Sequence, residues 1–217
     1  MVGREPVASA AGRAVPKGDE VLRVEGLTLA HPELPDTRLV DDVSFAVRAG
    51  EVLGVFGLMG AGRTEMLEAI FGLHARRTQG RILVAGRPAT IASPRQAIAA
   101  GIALAPEDRK QDGLVLSMSV AANVSLPGLA RVERAGLLDR RREDALAADL
   151  AGRLRIKTPS LGQLVRFLSG GNQQKVVLAK WLAVHPRVLL LDEPTRGIDV
   201  GAKQEIYGLI AELAQSG

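Results

Sequence analysis

The sequence predicts an α/β fold with helices packed over a parallel sheet, and three observations carry that expectation. Residues 51–57 (EVLGVFG) read as a strand that runs into a glycine-rich loop and then a helix. The run Val188-Leu189-Leu190-Leu191 is apolar throughout, as a strand buried on both faces would be, and it ends on Asp192-Glu193. Around these two landmarks strand and helix patterns alternate, in a chain that is 47% hydrophobic but only 3% aromatic, so the core is expected to be aliphatic.

The 217 residues can form one large domain or one domain with an inserted lobe. Residues 1–19 carry charge together with Ala, Gly and Pro and no apolar segment, which marks a linker and excludes a secretory signal. Residues 21–24 and 43–47 are short strand candidates. In residues 64–72, Leu67, Ile70 and Phe71 fall on one helical face, with Gly72 as the expected C-cap. Residues 81–85 and 102–105 are further strands, and Ser93-Pro94 opens a short helix between them.

From Asp108 to about Gln163 the texture turns polar and helical, with Leu146, Leu150 and Leu154 at steps of four and turn formers at Pro127-Gly128 and Pro159. This predicts an inserted helical lobe. Beyond Gly170 and Gly171, the residues Val177, Trp181 and Val184 mark a helix ending before Pro186. Ile206, Leu209, Ile210 and Leu213 then define an amphipathic helix reaching the last residues. The expected division is linker 1–19, nucleotide-binding core 20–107, helical lobe 108–168, and a final part, 169–217.

Several function classes drop out. The chain has no cysteine, which excludes disulfides, thiol catalysis and thiolate metal sites. No apolar stretch approaches the roughly 20 residues a membrane span needs. The net charge of +4 is modest and spread along the chain, so no nucleic acid partner is expected. The run Arg140-Arg141-Arg142 is followed at once by Glu143 and Asp144, as at a solvated helix start. His31, His74 and His185 have no companions at metal spacing and are expected on the surface or in loops.

The chemistry concentrates in two places. A phosphate chain is best held by backbone N–H groups converging at a helix N-terminus, and glycines permit that approach. Residues 57–64, Gly57-Leu58-Met59-Gly60-Ala61-Gly62-Arg63-Thr64, have the spacing G-x-x-x-x-G-basic-Thr between a strand and a helix, the context of a phosphate loop. Arg63 stands where that motif carries lysine, and a planar guanidinium does not simply replace a compact ammonium against the β and γ phosphates. Binding is therefore expected to survive better than hydrolysis. At the end of the later strand, Asp192 is placed to hold Mg²⁺ with the Thr64 hydroxyl, and Glu193 to act as general base on a water. An isolated Asp-Glu pair would more simply be a helix cap or surface charge. Here it accompanies Pro194-Thr195 and a phosphate loop.

Taken together, GLMGAGRTE, LSGGNQQK and LLLDEPTRGIDVG resemble the motifs of ABC-type ATPase domains. More narrowly, Arg63, Glu107 in Ala105-Pro106-Glu107-Asp108-Arg109-Lys110, and Pro194-Thr195-Arg196-Gly197-Ile198-Asp199 resemble the C-terminal cassette of double-cassette ATP-binding subunits in bacterial monosaccharide importers of the ribose, galactose and xylose type. The likeness runs from about Leu22 to the end, and Met1-Val2-Gly3-Arg4-Glu5 resembles the end of a preceding cassette.

That resemblance implies a P-loop NTPase fold of ABC type: a parallel core sheet flanked by helices, a small antiparallel β subdomain and an inserted helical lobe. It places the strand between the Walker A and Walker B strands beyond Gly217, so C-terminal strands are expected to be missing and the chain to be a poorly stable fragment. Gly57, Gly60, Ala61, Gly62, Arg63, Thr64 and Glu65 correspond to the ATP-binding loop, Thr64 and Asp192 to the Mg²⁺ ligands, and Glu193 to the catalytic carboxylate. Leu168, Ser169, Gly170, Gly171 and Gln173 correspond to the signature motif, which acts in trans on the γ phosphate bound to a second ATPase cassette, in the same polypeptide or a dimer mate. Asp199 resembles the D-loop aspartate. Glu107 replaces the usual Q-loop glutamine, which leaves its metal contact and coupling role open, and His31 or a loop apolar residue remains open as the adenine contact.

The implied partners are membrane permease subunits and, indirectly, a periplasmic sugar-binding protein, at the cytoplasmic face of the bacterial inner membrane. A non-transport ABC ATPase and a catalytically inactive regulatory cassette are the alternatives.

Overall fold

A computed structural model describes residues 18–34 and 36–216. The expected linker therefore lies outside the described residues except for Gly18 and Asp19, as does the opening pentapeptide. Strand β1 (Glu20–Ala30) and strand β2 (Arg38–Arg48) form an antiparallel pair far longer than the two short strands the sequence suggests. The reason is a change of phase. Leu22 and Val24 face the core before Gly26, and Leu27 and Leu29 face it afterwards. Gly26 adopts φ +60 where the β1 register shifts, so one extra residue moves the buried set from even to odd positions. Strict alternation breaks there, and a periodicity reading stops at Val24.

Helix α1 (Arg63–Ile70) follows the glycine loop and buries Met66, Ala69 and Ile70. Strand β3 (Thr78–Val84) returns beside β1, and the two-residue strand β4 (Arg87–Pro88) completes an antiparallel sheet of order β2-β1-β3-β4. Ser93 caps α2 (Pro94–Ala100), its hydroxyl accepting from the Gln96 amide, and β5 (Ile102–Ala105) is fully buried.

The predicted lobe is only partly helical. After a single π-helical turn at Arg109–Gly113 come α3 (Val120–Ser125) and α4 (Leu129–Val132). A small hairpin of β6 (Glu133–Arg134) and β7 (Leu137–Leu138) precedes α5 (Arg140–Arg153). The Ala135-Gly136 turn, with φ +54 and +81, supplies the positive backbone angles a two-residue hairpin requires. Leu150 and Leu154 are buried as their spacing predicts, and Arg140 opens α5 behind the Asp139 cap.

Helix α6 (Gly170–Leu182) runs through the centre of the molecule, with Val176, Val177, Leu178 and Ala179 fully buried. Strand β8 (Val188–Leu191) lies parallel to β5, and α7 (Val200–Gln215) closes the described chain.

Two sequence expectations are corrected. Residues 51–57 form no strand: Val52, Leu53, Val55 and Phe56 are exposed, Phe56 at 95%, and no described strand pairs with them. An extended segment becomes a strand only where a neighbour takes its backbone N–H and C=O groups. Likewise β8 is not buried on both faces. Val188 and Leu190 are buried while Leu189 and Leu191, on the opposite face, are half-buried, and β5 is its sole strand partner among the described residues. His74 lies in the turn that follows α1, half-buried, with Nε2 2.6 Å from Glu68 Oε2.

Helices α6 and α7 are joined by Lys175, whose Nζ donates to Glu205 Oε2 at 2.6 Å and to the Arg155 carbonyl at 3.0 Å. The ammonium is buried and the carboxylate half exposed. Hydrogen bonding from Lys175 holds the Glu205 carboxyl below its ordinary range. A carboxylate with a lowered folded pKa adds stability above its unfolded pKa and loses it as pH falls through the folded value. Glu205→Gln is expected to cost about 1 kcal/mol at neutral pH, discounted for exposure. In denaturant titrations that difference should shrink as pH falls below about 4.3. A pH-independent difference would show that the ion pair is not its source.

Candidate functional site

Two chain segments that are distant in sequence meet at the ends of β5 and β8. The first is the loop into α1. Gly60 and Gly62 adopt φ +79 and +77, and Gly62 sits at the N-cap of α1. A Cβ built on Gly62 would lie 2.2 Å from the Leu39 carbonyl oxygen of β2, so both backbone angle and space demand glycine. The loop itself is open to solvent, with Leu58 86% and Met59 99% exposed.

Beyond the loop, a cleft of about 240 Å³ is lined by Thr64, Glu107, Asp192 and Arg196, among others. The Thr64 hydroxyl donates to Glu107 Oε2 at 3.4 Å and also interacts with the Asp192 carboxyl. Asp192 is buried, and burial pushes its carboxyl above the ordinary range; the charge on Glu193 adds to this, while the Thr64 hydrogen bond and Arg63 oppose it. Glu107 also pairs with Arg196.

Arg63 does not point away from this chemistry. Its Nη1 donates to Glu193 Oε1 at 2.9 Å, so the guanidinium at the lysine position partners the carboxylate expected to act as base. Glu193 has φ +42, a strained angle for a residue with a side chain, at the tight turn where Arg196 N–H donates to the Glu193 carbonyl. Thr64 and Asp192 are hard oxygen donors. Among the described residues no group of three or more His, Cys, Asp or Glu side chains forms a metal cage. Such a sparse set suits Mg²⁺ completed by phosphate oxygens rather than by protein alone.

The signature-like residues lie elsewhere. Ser169 caps α6, its Oγ accepting from the Asn172 N–H at 3.4 Å and from Asn172 Nδ2 at 3.0 Å, and it remains exposed. Gly171 lets α6 approach α7, since an added Cβ would lie 2.7 Å from the Ala202 Cβ. Gln173 turns inward, buried, with Nε2 donating to the Val165 carbonyl. Leu168 is half-buried against the core. No described hydrogen bond or ion pair links Ser169 to the phosphate-type loop. Asp199 caps α7 by accepting from the Ala202 amide at 2.9 Å.

Sequence reasoning assigned no role to Arg109 or Arg196. Both stood within the quoted motifs, and a cation among carboxylates was the available signal.

The ABC transporter family model matches residues 40–196. Over all 217 residues the chain is 54% identical to a ribose import ATP-binding protein of Rhodopirellula baltica, covering 42% of that protein. It is 49% identical over 218 aligned residues to a xylose import ATP-binding protein of Yersinia pseudotuberculosis, covering 43% of it. The chain thus spans less than half the length of these relatives. Among solved structures, a nucleotide-free ATP-binding cassette from an ABC transporter superposes with TM-score 0.74 at 21% identity, covering 91% of this chain and 78% of that one. Clostridium perfringens cbiO1, part of an ABC transporter complex, gives TM-score 0.72 at 25% identity, with 91% and 75% covered.

Proposed function

The chain belongs to the ABC transporter family, and from that premise we propose that it is an ATP-binding cassette energising import of a monosaccharide across a bacterial inner membrane. One observation carries the reading: Thr64, Glu107 and Asp192 line one cleft at the start of α1, with Arg63 and Glu193 paired beside them. It is supported by the likeness to ribose import and xylose import ATP-binding proteins. Residues 20–107 and 169–217 form the nucleotide-binding part and 108–168 the lobe.

In this proposal the backbone amides of residues 57–64 and the α1 N-terminus bind the ATP phosphates, with Glu65 beside them. Thr64 and Asp192 hold Mg²⁺, which offsets phosphate charge when bound. Glu193 accepts the proton of the attacking water. The chain works as half of a pair. Its Ser169 hydroxyl, Gly170 and Gly171 amides and the α6 N-terminus cap a phosphate bound by a second cassette, in the same polypeptide or a dimer mate. The assembly sits peripherally at the cytoplasmic membrane face against permease subunits, fed by a periplasmic sugar-binding protein. Among the described residues, no helix is long and apolar enough to cross a membrane.

The chain's own site is the weaker of the two. Arg63 donates to Glu193 Oε1 at 2.9 Å and so occupies a carboxylate oxygen that the attacking water would need. Arg63→Lys is expected to raise turnover at this site about tenfold, measured with the partner site inactivated. Arg63→Ala should reduce total turnover less than an alanine change at the corresponding loop position of the second cassette. ATP turnover with and without the partner cassette, and sugar uptake in reconstituted vesicles, test the whole reading. Absence of ATP-driven uptake in the complete assembly would overturn it.

A further inference from the structure

Arg109 gathers three separate segments around one guanidinium. It stands in the π-helical turn that follows β5, two residues after Glu107. Nη1 donates to the Arg196 carbonyl at 2.7 Å and Nη2 to the Gly197 carbonyl at 3.1 Å. Nε reaches the side-chain oxygen of Gln173, on the first turn of α6, at 3.5 Å. A Cβ on Gly170 would lie 2.9 Å from Nη2 and 3.5 Å from the Gly197 carbonyl, so the guanidinium is packed against the α6 N-terminus as well as bonded to the loop. The planar fork of arginine can serve two adjacent carbonyls at fixed angle, which an ammonium cannot match.

These contacts have a direction. Glu107 faces the cleft, reaching Thr64 and pairing with Arg196, while Arg109 in the same short segment grips the Arg196-Gly197 backbone and α6. The same loop runs from Glu193 to Asp199, the cap of α7. We propose that Arg109 is a positioning residue that fixes the loop 196–199 and the start of α6 relative to the nucleotide cleft, and with them the placement of Ser169 and Asp199. The inference rests on the ATPase reading above. Arg109 touches no phosphate in this scheme; it acts through the backbone it holds.

The test uses the complete two-cassette subunit with its permease, comparing the parent with Arg109→Ala and Arg109→Lys. Arg109→Ala should lower kcat for ATP about 10- to 100-fold, the scale of loss that small misplacements cause. KM and the Kd of a fluorescent ATP analogue should stay within about twofold, because the binding loop is untouched. Arg109→Lys, keeping charge without the fork, should recover part of the loss. Hydrogen exchange gives a second readout that needs no turnover. Amides of residues 170–173 and 196–203 should exchange about tenfold faster or more in Arg109→Ala, with the amides of α1 unchanged. Unaltered exchange in those segments overturns the proposal, as does a loss shared equally between kcat and nucleotide affinity. If the parent subunit turns over no ATP while exchange changes as stated, the ATPase reading fails and the positioning role stands.

Discussion

Gly62→Ala is expected to destabilise the α1 entry by about 2–4 kcal/mol and to abolish measurable nucleotide binding. Two costs combine. The residue needs φ +77, a left-handed angle that side chains resist, and the new Cβ would sit 2.2 Å from the Leu39 carbonyl, a backbone atom that cannot rotate away. Relief requires either β2 or the loop to move, and moving the loop takes the α1 amides off the phosphate position. Thermal unfolding and binding of a fluorescent ATP analogue both report this. Gly60→Ala is the control: its φ is also positive, at +79, but nothing lies within 4 Å, so only the angular cost of about 1–2 kcal/mol should appear. Equal effects at the two positions would show that the approach to β2 is not the cause.

Ser169→Asp should leave the melting temperature nearly unchanged while lowering ATP turnover of the paired assembly about 100-fold or more. Aspartate is as good an N-cap as serine, so α6 keeps its bond to the Asn172 amide. What changes is the outward chemistry: a hydroxyl and helix dipole that favour an anion acquire a negative charge that repels it. Ser169→Arg should also stop turnover, through bulk. Turnover within about threefold of the parent in both variants would remove Ser169 from the phosphate environment.

Much of the site was legible because its residues are constrained locally. The glycine spacing before Thr64, the apolar run ending at Asp192 and the Ser169 cap are short-range patterns, and each falls on the predicted type of loop, strand end or helix start. The parts that escaped are those set by partners far along the chain. Residues 51–57 have strand composition yet remain unpaired, β1 continues past a bulge that breaks its alternation, and the lobe contains a hairpin among its helices. Arg109 and Arg196 stand within short motifs, but the groups they bind lie 87 and 89 positions away.

By itself the sequence determined where the candidate groups for phosphate chemistry stand: a glycine loop, an acidic pair at a strand end and a capped helix start are fixed by residue type and spacing over a few positions. Only the tertiary structure decided how those groups are paired. It joined Arg63 to Glu193 across 130 residues and seated Arg109 on the loop after β8. Charge pairing of that kind depends on distances through space, which the packing of β5, β8 and α6 sets and which no local pattern of residues encodes.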